Sequence, residues 1–413
     1  MVGAGNRGIQ AFAVPIVKEL GDCINLCGVY DLNKKRAALV GEMAGSRIPV
    51  YESFEKMIKD AKPEIVIVTT KDSAHDEHVI GALEAGCDVV CEKPLTTDEK
   101  KLKAIYEAEK RTERKVTVTF NCRFSPFLSR IKELLAQNII GEILSVHYEH
   151  FLDTVHGADY FRRWHRERKN SGSLLIHKST HDFDLINWYL DDEPESVSAF
   201  GTRRFYGPVR EQRGERCLTC PYKSSCEFYF DIKDQEFIRK AYYECEGEDG
   251  YFRDKCVFSE EIDIEDSVSL NIKYKKGAVA CYSLTAHSPI EGSKMVFAGS
   301  EGRMEVTRIK SGKKAENPII IYNRFGEEII YREADEARGY SSNLHHLTAE
   351  NLDGHGGADP LMRAMIFRGA EDDPQGRLAD TRAGAMSVGI GIAANKSMVE
   401  NKTVQIKDFL DFL

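Results

Sequence analysis

The chain opens on Val2-Gly3-Ala4-Gly5-Asn6-Arg7-Gly8, and this G-x-G-x-x-G spacing constrains the fold more than any other feature. Glycines so placed suit a strand that turns sharply into a helix. Gly3 permits the turn, Gly5 lets the backbone approach a pyrophosphate, and Gly8 lets helix and strand pack closely. The spacing alone also fits an ordinary strand–helix corner. Asp31 favours the dinucleotide reading, because it closes the apolar stretch Cys27-Gly-Val-Tyr30. A carboxylate there accepts from both ribose hydroxyls and repels a 2′-phosphate, which selects NAD over NADP. Asn33, Lys34, Lys35 and Arg36 keep NADP open. Only Met1 and Val2 precede Gly3, so either the first strand is unusually short or the start is truncated.

The next hundred residues alternate strand and helix. Glu64-Ile-Val-Ile-Val-Thr-Thr70 is a continuous β-branched run, as in a strand buried on both faces of a parallel sheet. A helix over 79–85 stops at Gly86, and Asp88-Val-Val-Cys91 is the next strand. Thr96-Thr-Asp-Glu99 has capping-box spacing and opens a helix through Lys110. Lys115–Phe120 is a further strand. This pattern predicts an α/β doubly wound domain over residues 1–122. From Val268 the period changes. Val268, Leu270, Ile272 and Tyr274 alternate with polar residues, Lys275-Lys-Gly277 turns the chain, and strand pairs flank Gly299–Gly302 and Asn323–Gly326. Residues 123–413 are therefore expected to form a second α/β domain with a large, open, mainly antiparallel sheet. The join is placed near Asn121–Pro126.

With 413 residues, 42% hydrophobic and 30% charged, the chain has material for a large core. A net charge of −9 argues against nucleic acid and anionic membrane as partners. No run of about 18 apolar residues occurs, and no basic segment leads into an apolar one at the N-terminus. A reducing, cytoplasmic setting is expected. Six of the eleven cysteines are scattered in apolar contexts and read as small buried hydrophobes. The other five crowd an insertion at about 210–258. There Cys217, Cys220 and Cys226 give C-x2-C-x5-C, with Cys245 and Cys256 following. In a reducing compartment such spacing suits structural zinc or an iron–sulfur cluster held by thiolates, with free thiols as the remaining alternative.

Two further stretches carry chemistry. Glu92-Lys93-Pro94 follows the strand ending at Cys91, and ligands bind at the carboxyl ends of parallel strands. A lysine held there reaches a nicotinamide and a reacting hydroxyl; a solvated lysine is the plain alternative. Asp159-Tyr-Phe-Arg-Arg-Trp-His165 mixes rings with donors. Tyr160, Arg163, Trp164 and His165 suit a sugar, whose C–H face stacks on a ring while its hydroxyls take hydrogen bonds. Packed aromatics among solvated arginines account for them nearly as well.

Gly3 to Gly8, Asp31, Glu92-Lys93-Pro94, Asn121-Cys-Arg123 and Gly172-Ser-Leu-Leu-Ile-His177-Lys178-Ser-Thr-His181-Asp-Phe-Asp184 together resemble the Gfo/Idh/MocA family over nearly the whole chain. The resemblance implies a Rossmann domain and an α/β domain whose sheet often forms the oligomer interface, hence a homodimer or homotetramer. It implies NAD(P)-dependent oxidation or reduction of a sugar, cyclitol or sugar derivative. The family lysine falls on Lys93 and the family histidine on His181. Asn6 and Arg7 match the pyrophosphate loop and His75 a position near the cofactor; Thr70, Glu92, Asn121 and Arg123 complete the candidate cofactor set. Many members carry Asp four residues before the histidine, where this chain has His177 followed by Lys178, so the general base is left among His181, His177 and Lys178. The resemblance also puts a fourth metal ligand at Cys256, with Cys245 in reserve. The loop Asn351–Asp359 resembles one in NAD-dependent glycoside hydrolases and adds His355 as a substrate residue. That keeps open a hydrolase or lyase using transient oxidation, beside the dehydrogenase and a non-catalytic NAD-binding sensor.

Overall fold

The computed structural model describes residues 1–309, 317–332, 357–369 and 372–413; His355 lies outside these described residues. The N-terminal part contains a parallel sheet of strands β1 (Ile65–Val68), β2 (Asp88–Cys91) and β3 (Val116–Val118). Single parallel bridges extend it: Val2 pairs with Val68 and with Tyr30, and Val29 pairs with Val50. Numbered along the chain, those segments run 3-2-1-4-5-6, the order of dinucleotide-binding doubly wound sheets. At the first strand position only Val2 forms bridges. Met1 and Val2 still join it through Val2 N–H to the Ile67 carbonyl at 2.8 Å and Gly3 N–H to Tyr30 at 2.8 Å.

Helix Glu99–Thr112 follows β2, but its cap is Asp98 rather than Thr96. The Asp98 carboxylate accepts from the amides of Lys100 and Lys101, both at 3.1 Å, while Thr96 is buried. The reason is geometric: Asp98 stands directly before the first helical residue, where a side-chain oxygen reaches the orphan amides.

Among the described residues the second sheet has nine strands. They are β4 (Ile143–Asp153), β5 (Pro194–Thr202), β6 (Ser267–Tyr274), β7 (Val279–Ser288), β8 (Gly292–Gly299), β9 (Gly302–Ile309), β10 (Pro318–Asn323), β11 (Glu328–Arg332) and β12 (Val404–Gln405). The order is β11-β10-β9-β8-β4-β7-β6-β5-β12. Only β4 and β7 pair in parallel; every other neighbour is antiparallel. Along β6 and β7 burial alternates strictly, as the sequence period predicts. The buried face carries Val268, Leu270, Ile272, Tyr274, Ala280, Tyr282 and Leu284. The outer face carries Ser145, His147, Ser196, Ser198, Asn271 and Lys273.

Helix Thr381–Glu400 is buried along most of its length, in keeping with its run of Ala, Gly, Val and Ile on every side. It packs against β3, β5 and helix Thr180–Leu190, and so locks the two sheets together. No helix among the described residues is long and apolar enough to cross a membrane.

Candidate functional site

One side of the site is made of backbone. Gly3 has φ 88°, and a Cβ there would lie 2.6 Å from the Thr69 carbonyl carbon. A Cβ at Gly8 would lie 2.4 Å from the Gly3 oxygen. Side chains are excluded at both. At Gly5 the nearest atom is the Tyr242 hydroxyl, 3.8 Å away, so the loop's own fold leaves this backbone approachable. The Thr69 hydroxyl donates to Gly3 at 2.7 Å and steadies the turn. Asp31 accepts from the amides of Ala4 at 2.6 Å and Asn33 at 2.7 Å. An approachable glycine backbone at a helix start, beside a carboxylate at a strand end, fits the pyrophosphate and ribose of NAD.

Arg7 links this loop to the chemistry. Its Nε donates to Glu92 at 2.7 Å, and its two Nη groups donate to Asp359 at 2.7 and 2.8 Å. Burial opposes the Arg7 charge, but Glu92 and Asp359 prevail and hold the guanidinium more firmly protonated than usual. Asn121 Nδ2 donates to the same Asp359 at 2.8 Å. His75 Nδ1 and Nε2 face the carbonyls of Pro94 at 2.8 Å and Thr70 at 3.3 Å, and the ring can donate to one of the two when neutral. Burial lowers its pKa against the pull of those two carbonyls.

The other side is made of buried titratable groups. Lys93 Nζ donates to the His177 carbonyl at 2.9 Å. Burial lowers the Lys93 ammonium to about 8, against the pull of Asp72 and Glu92 and helped by Lys178. His177 Nδ1 lies 2.6 Å from Asp72 Oδ2. Burial pushes Asp72 well above the usual carboxylate range although Lys93 opposes it. Burial, then the charges of Lys93, His165 and Arg163, push His177 well below the ordinary imidazole value. Burial thus opposes charge on both partners of this short contact. Ser173, just before helix Leu174–His177, has φ 144° and ψ 176°, a region that glycine alone adopts without strain.

Around His177 stand the predicted substrate residues. His165 lies 4.1 Å from it between ring centroids, Tyr160 5.5 Å and Trp164 5.6 Å. Arg163 pairs with Asp159 at 2.9 Å, and Arg253 reaches the same carboxylate at 2.7 Å. His165 Nδ1, Arg163 Nε, Arg253 Nε and the Tyr251 hydroxyl are buried without a hydrogen-bond partner among the described residues. A concentration of unsatisfied donors and acceptors in one place suits a ligand rich in hydroxyls. Beneath lies Asp182, which accepts from Tyr148 at 2.8 Å and Tyr282 at 2.7 Å and pairs with His150 Nδ1 at 2.7 Å. It anchors the start of helix Thr180–Leu190 to β4 and β7.

Comparison with known proteins agrees with this geometry. Residues 1–120 match the family model described as "Oxidoreductase family, NAD-binding Rossmann fold", and residues 132–406 match its companion, "Oxidoreductase family, C-terminal alpha/beta domain". The candidate oxidoreductase YteT of Bacillus subtilis is 34% identical, over 98% of this chain and 97% of its own length. The chain belongs to the Gfo/Idh/MocA oxidoreductase family. Inositol 2-dehydrogenase 3 of Saccharopolyspora erythraea is 34% identical over 43% of this chain and 50% of its own length. Among solved structures, the WlbA dehydrogenase of Bordetella pertussis, in complex with NADH and UDP-GlcNAcA, is 18% identical with TM-score 0.66, covering 98% of this chain and 96% of that one.

In this Gfo/Idh/MocA chain, Lys93 and His177 meet directly, and Tyr160, Trp164 and His165 close around them. His181 lies one turn further on, its ring edge-on to Phe120 with centroids 6.0 Å apart. Lys178 acts through its charge, lowering Lys93, His177 and Asp182. Arg123, expected beside the cofactor, instead grips Asp184 at 2.8 and 2.6 Å and the Gly376 carbonyl at 2.8 Å. A buried carboxylate with matching fork geometry is its stronger partner.

The expected zinc or iron–sulfur site at Cys217, Cys220, Cys226 and Cys256 is not borne out: among the described residues no group of three or more His, Cys, Asp or Glu is set to hold a metal. The four cysteines do line one cleft, but among arginines. Arg162 donates to the Cys217 sulfur at 3.3 Å and Arg210 to Cys226 at 3.0 Å. The insertion is held by Arg216, which pairs with Asp254 and Glu246, both at 2.6 Å. Sequence reasoning missed Asp72 and Asp182 and gave Tyr242 and Arg253 no role. Asp72 had a signal, since it follows the carboxyl end of β1; Tyr242 and Arg253 had none.

Proposed function

We propose that this protein is an NAD-dependent dehydrogenase acting on a secondary hydroxyl of a sugar, cyclitol or sugar derivative. The observation that carries the reading is the meeting of both sides at Lys93. Its neighbour Glu92 is tied to the glycine loop through Arg7, and its own ammonium touches His177. NAD, held by Gly3, Gly5, Gly8 and Asp31, supplies the hydride acceptor. Lys93 donates to the substrate oxygen and stabilises the alkoxide as it forms. His177, oriented by Asp72, takes the hydroxyl proton as general base while the hydride leaves for the cofactor. Tyr160 and Trp164 present ring faces, and the orphaned groups of His165, Arg163, Arg253 and Tyr251 take hydroxyls. The inositol and sugar-nucleotide dehydrogenases among the relatives support the same substrate class.

NAD is favoured over NADP because Asp31 would repel a 2′-phosphate and each nitrogen of Arg36 already faces a protein acceptor. Its Nη1 faces Asp31 at 3.4 Å, Nη2 donates to Asp249 at 2.9 Å and Nε to the Ala241 carbonyl at 2.9 Å. The polar outer face of the nine-stranded sheet is our choice for a subunit interface, which sedimentation of the intact chain tests.

Incubation with NAD and a panel of cyclitols and sugars is expected to build up NADH absorbance. Lys93→Ala should lower kcat by about a thousandfold while NAD still binds. No NADH with any member of the panel, alongside aglycone release from aryl glycosides, overturns the dehydrogenase in favour of a redox-cycling hydrolase.

A further inference from the structure

The arm 236–251 of the cysteine-rich insertion packs on the dinucleotide side of the molecule. The Tyr242 hydroxyl accepts from the Asn6 amide at 2.9 Å, inside the glycine loop. Arg36 Nε donates to the Ala241 carbonyl and Asn33 Nδ2 to the Cys245 carbonyl, both at 2.9 Å. Asp249 pairs with Arg36 at 2.9 Å, and Glu248 accepts from the Lys35 amide at 3.2 Å. Tyr242 is 5% exposed, with the guanidinium of Arg36 5.5 Å and that of Arg253 5.4 Å from its ring centre.

These partners are not scattered. Asn6 belongs to the glycine loop read above as the pyrophosphate site, and Asn33, Lys35 and Arg36 follow Asp31, read above as the ribose carboxylate. The arm thus runs along the outer edge of the adenosine half of the groove, from phosphate to ribose. On its far side Arg253 holds Asp159, which belongs to the substrate cluster. A dinucleotide passing this edge has to part contacts spread over five residues of the arm.

We propose that this arm is the outer wall of the dinucleotide site, and that Tyr242 is its latch, setting how fast the dinucleotide enters and leaves. The inference rests on the NAD reading above. A latch differs from an ordinary contact in its kinetics. Loosening it speeds entry and exit together, whereas losing a contact speeds exit alone and weakens affinity to match.

The test is stopped-flow fluorescence of NADH binding to the full chain and its release into excess NAD. Tyr242→Phe removes the latch hydroxyl, and Asp249→Asn loosens the arm at its other end. Each is expected to raise both rate constants by about fivefold, the worth of one hydrogen bond, with affinity close to wild type. Both rates unchanged in both variants, or faster release alone with a matching loss of affinity, overturns the latch and leaves the NAD reading standing. Wild-type protein that binds no NADH overturns the NAD reading itself, and the latch with it.

Discussion

The two sides of the site are built from different materials. Around Gly3 and Gly8 the protein offers backbone, and its shape depends on atoms that are missing: no Cβ fits at either position. Around His177 it offers crowded side chains, whose behaviour depends on burial. Lys93, Asp72 and His177 are all displaced from their ordinary pKa values, and burial is the first cause in each case. The backbone side tolerates almost no substitution, but its chemistry does not change with pH. The side-chain side accepts conservative replacement, but it is tuned and therefore titrates.

That contrast can be broken by experiment. Gly3→Ala should be the most damaging, costing about 3 kcal/mol of stability and NAD binding together. Thermal unfolding close to wild type would show that the turn is less constrained than its 2.6 Å clearance implies. Asp72→Asn should fold normally, since the amide still hydrogen-bonds His177, yet lower kcat by about thirtyfold, roughly 2 kcal/mol. A loss of NAD affinity with kcat intact would assign Asp72 to the cofactor instead.

The pH profile sharpens the comparison further. The Lys93 ammonium is lost as pH rises through about 8, below the ordinary lysine value, so kcat should fall above about 8. His177 stays neutral well below its usual value, so the acid limb should lie below pH 6.5. NAD affinity should be flat across the same range. The smallest effect is expected at the insertion: Cys226→Ser should cost under about 1 kcal/mol. The Arg216–Asp254–Glu246 pairs, rather than the thiols, hold that region, and a large drop in melting temperature would reverse this view.

Much of the architecture was legible because it follows local periods. The β-branched run at 65–68 and the strict alternation along β6 each declare a strand and the faces it buries. The glycine loop was legible because its chemistry is contiguous. The His177–Asp72 pair was only half legible. The two residues are 105 positions apart, and no local pattern announces a contact of that range. Arg123 misled for a related reason: its neighbours in sequence point to the cofactor, while Asp184, from another element, captures it. The cysteine spacing was ambiguous in itself, since a tight turn of thiols serves arginine-lined packing as readily as metal.

The bond between Arg7 and Asp359 spans 352 residues. A chain emerging from the ribosome makes its glycine loop well before the carboxylate that orients Arg7. Until helix Ala358–Arg368 arrives, the loop lacks this brace, and so does Asn121. Competence to bind is thus deferred until Asp359 has been made, and truncation before Asp359 should leave an intact loop with a misdirected arginine.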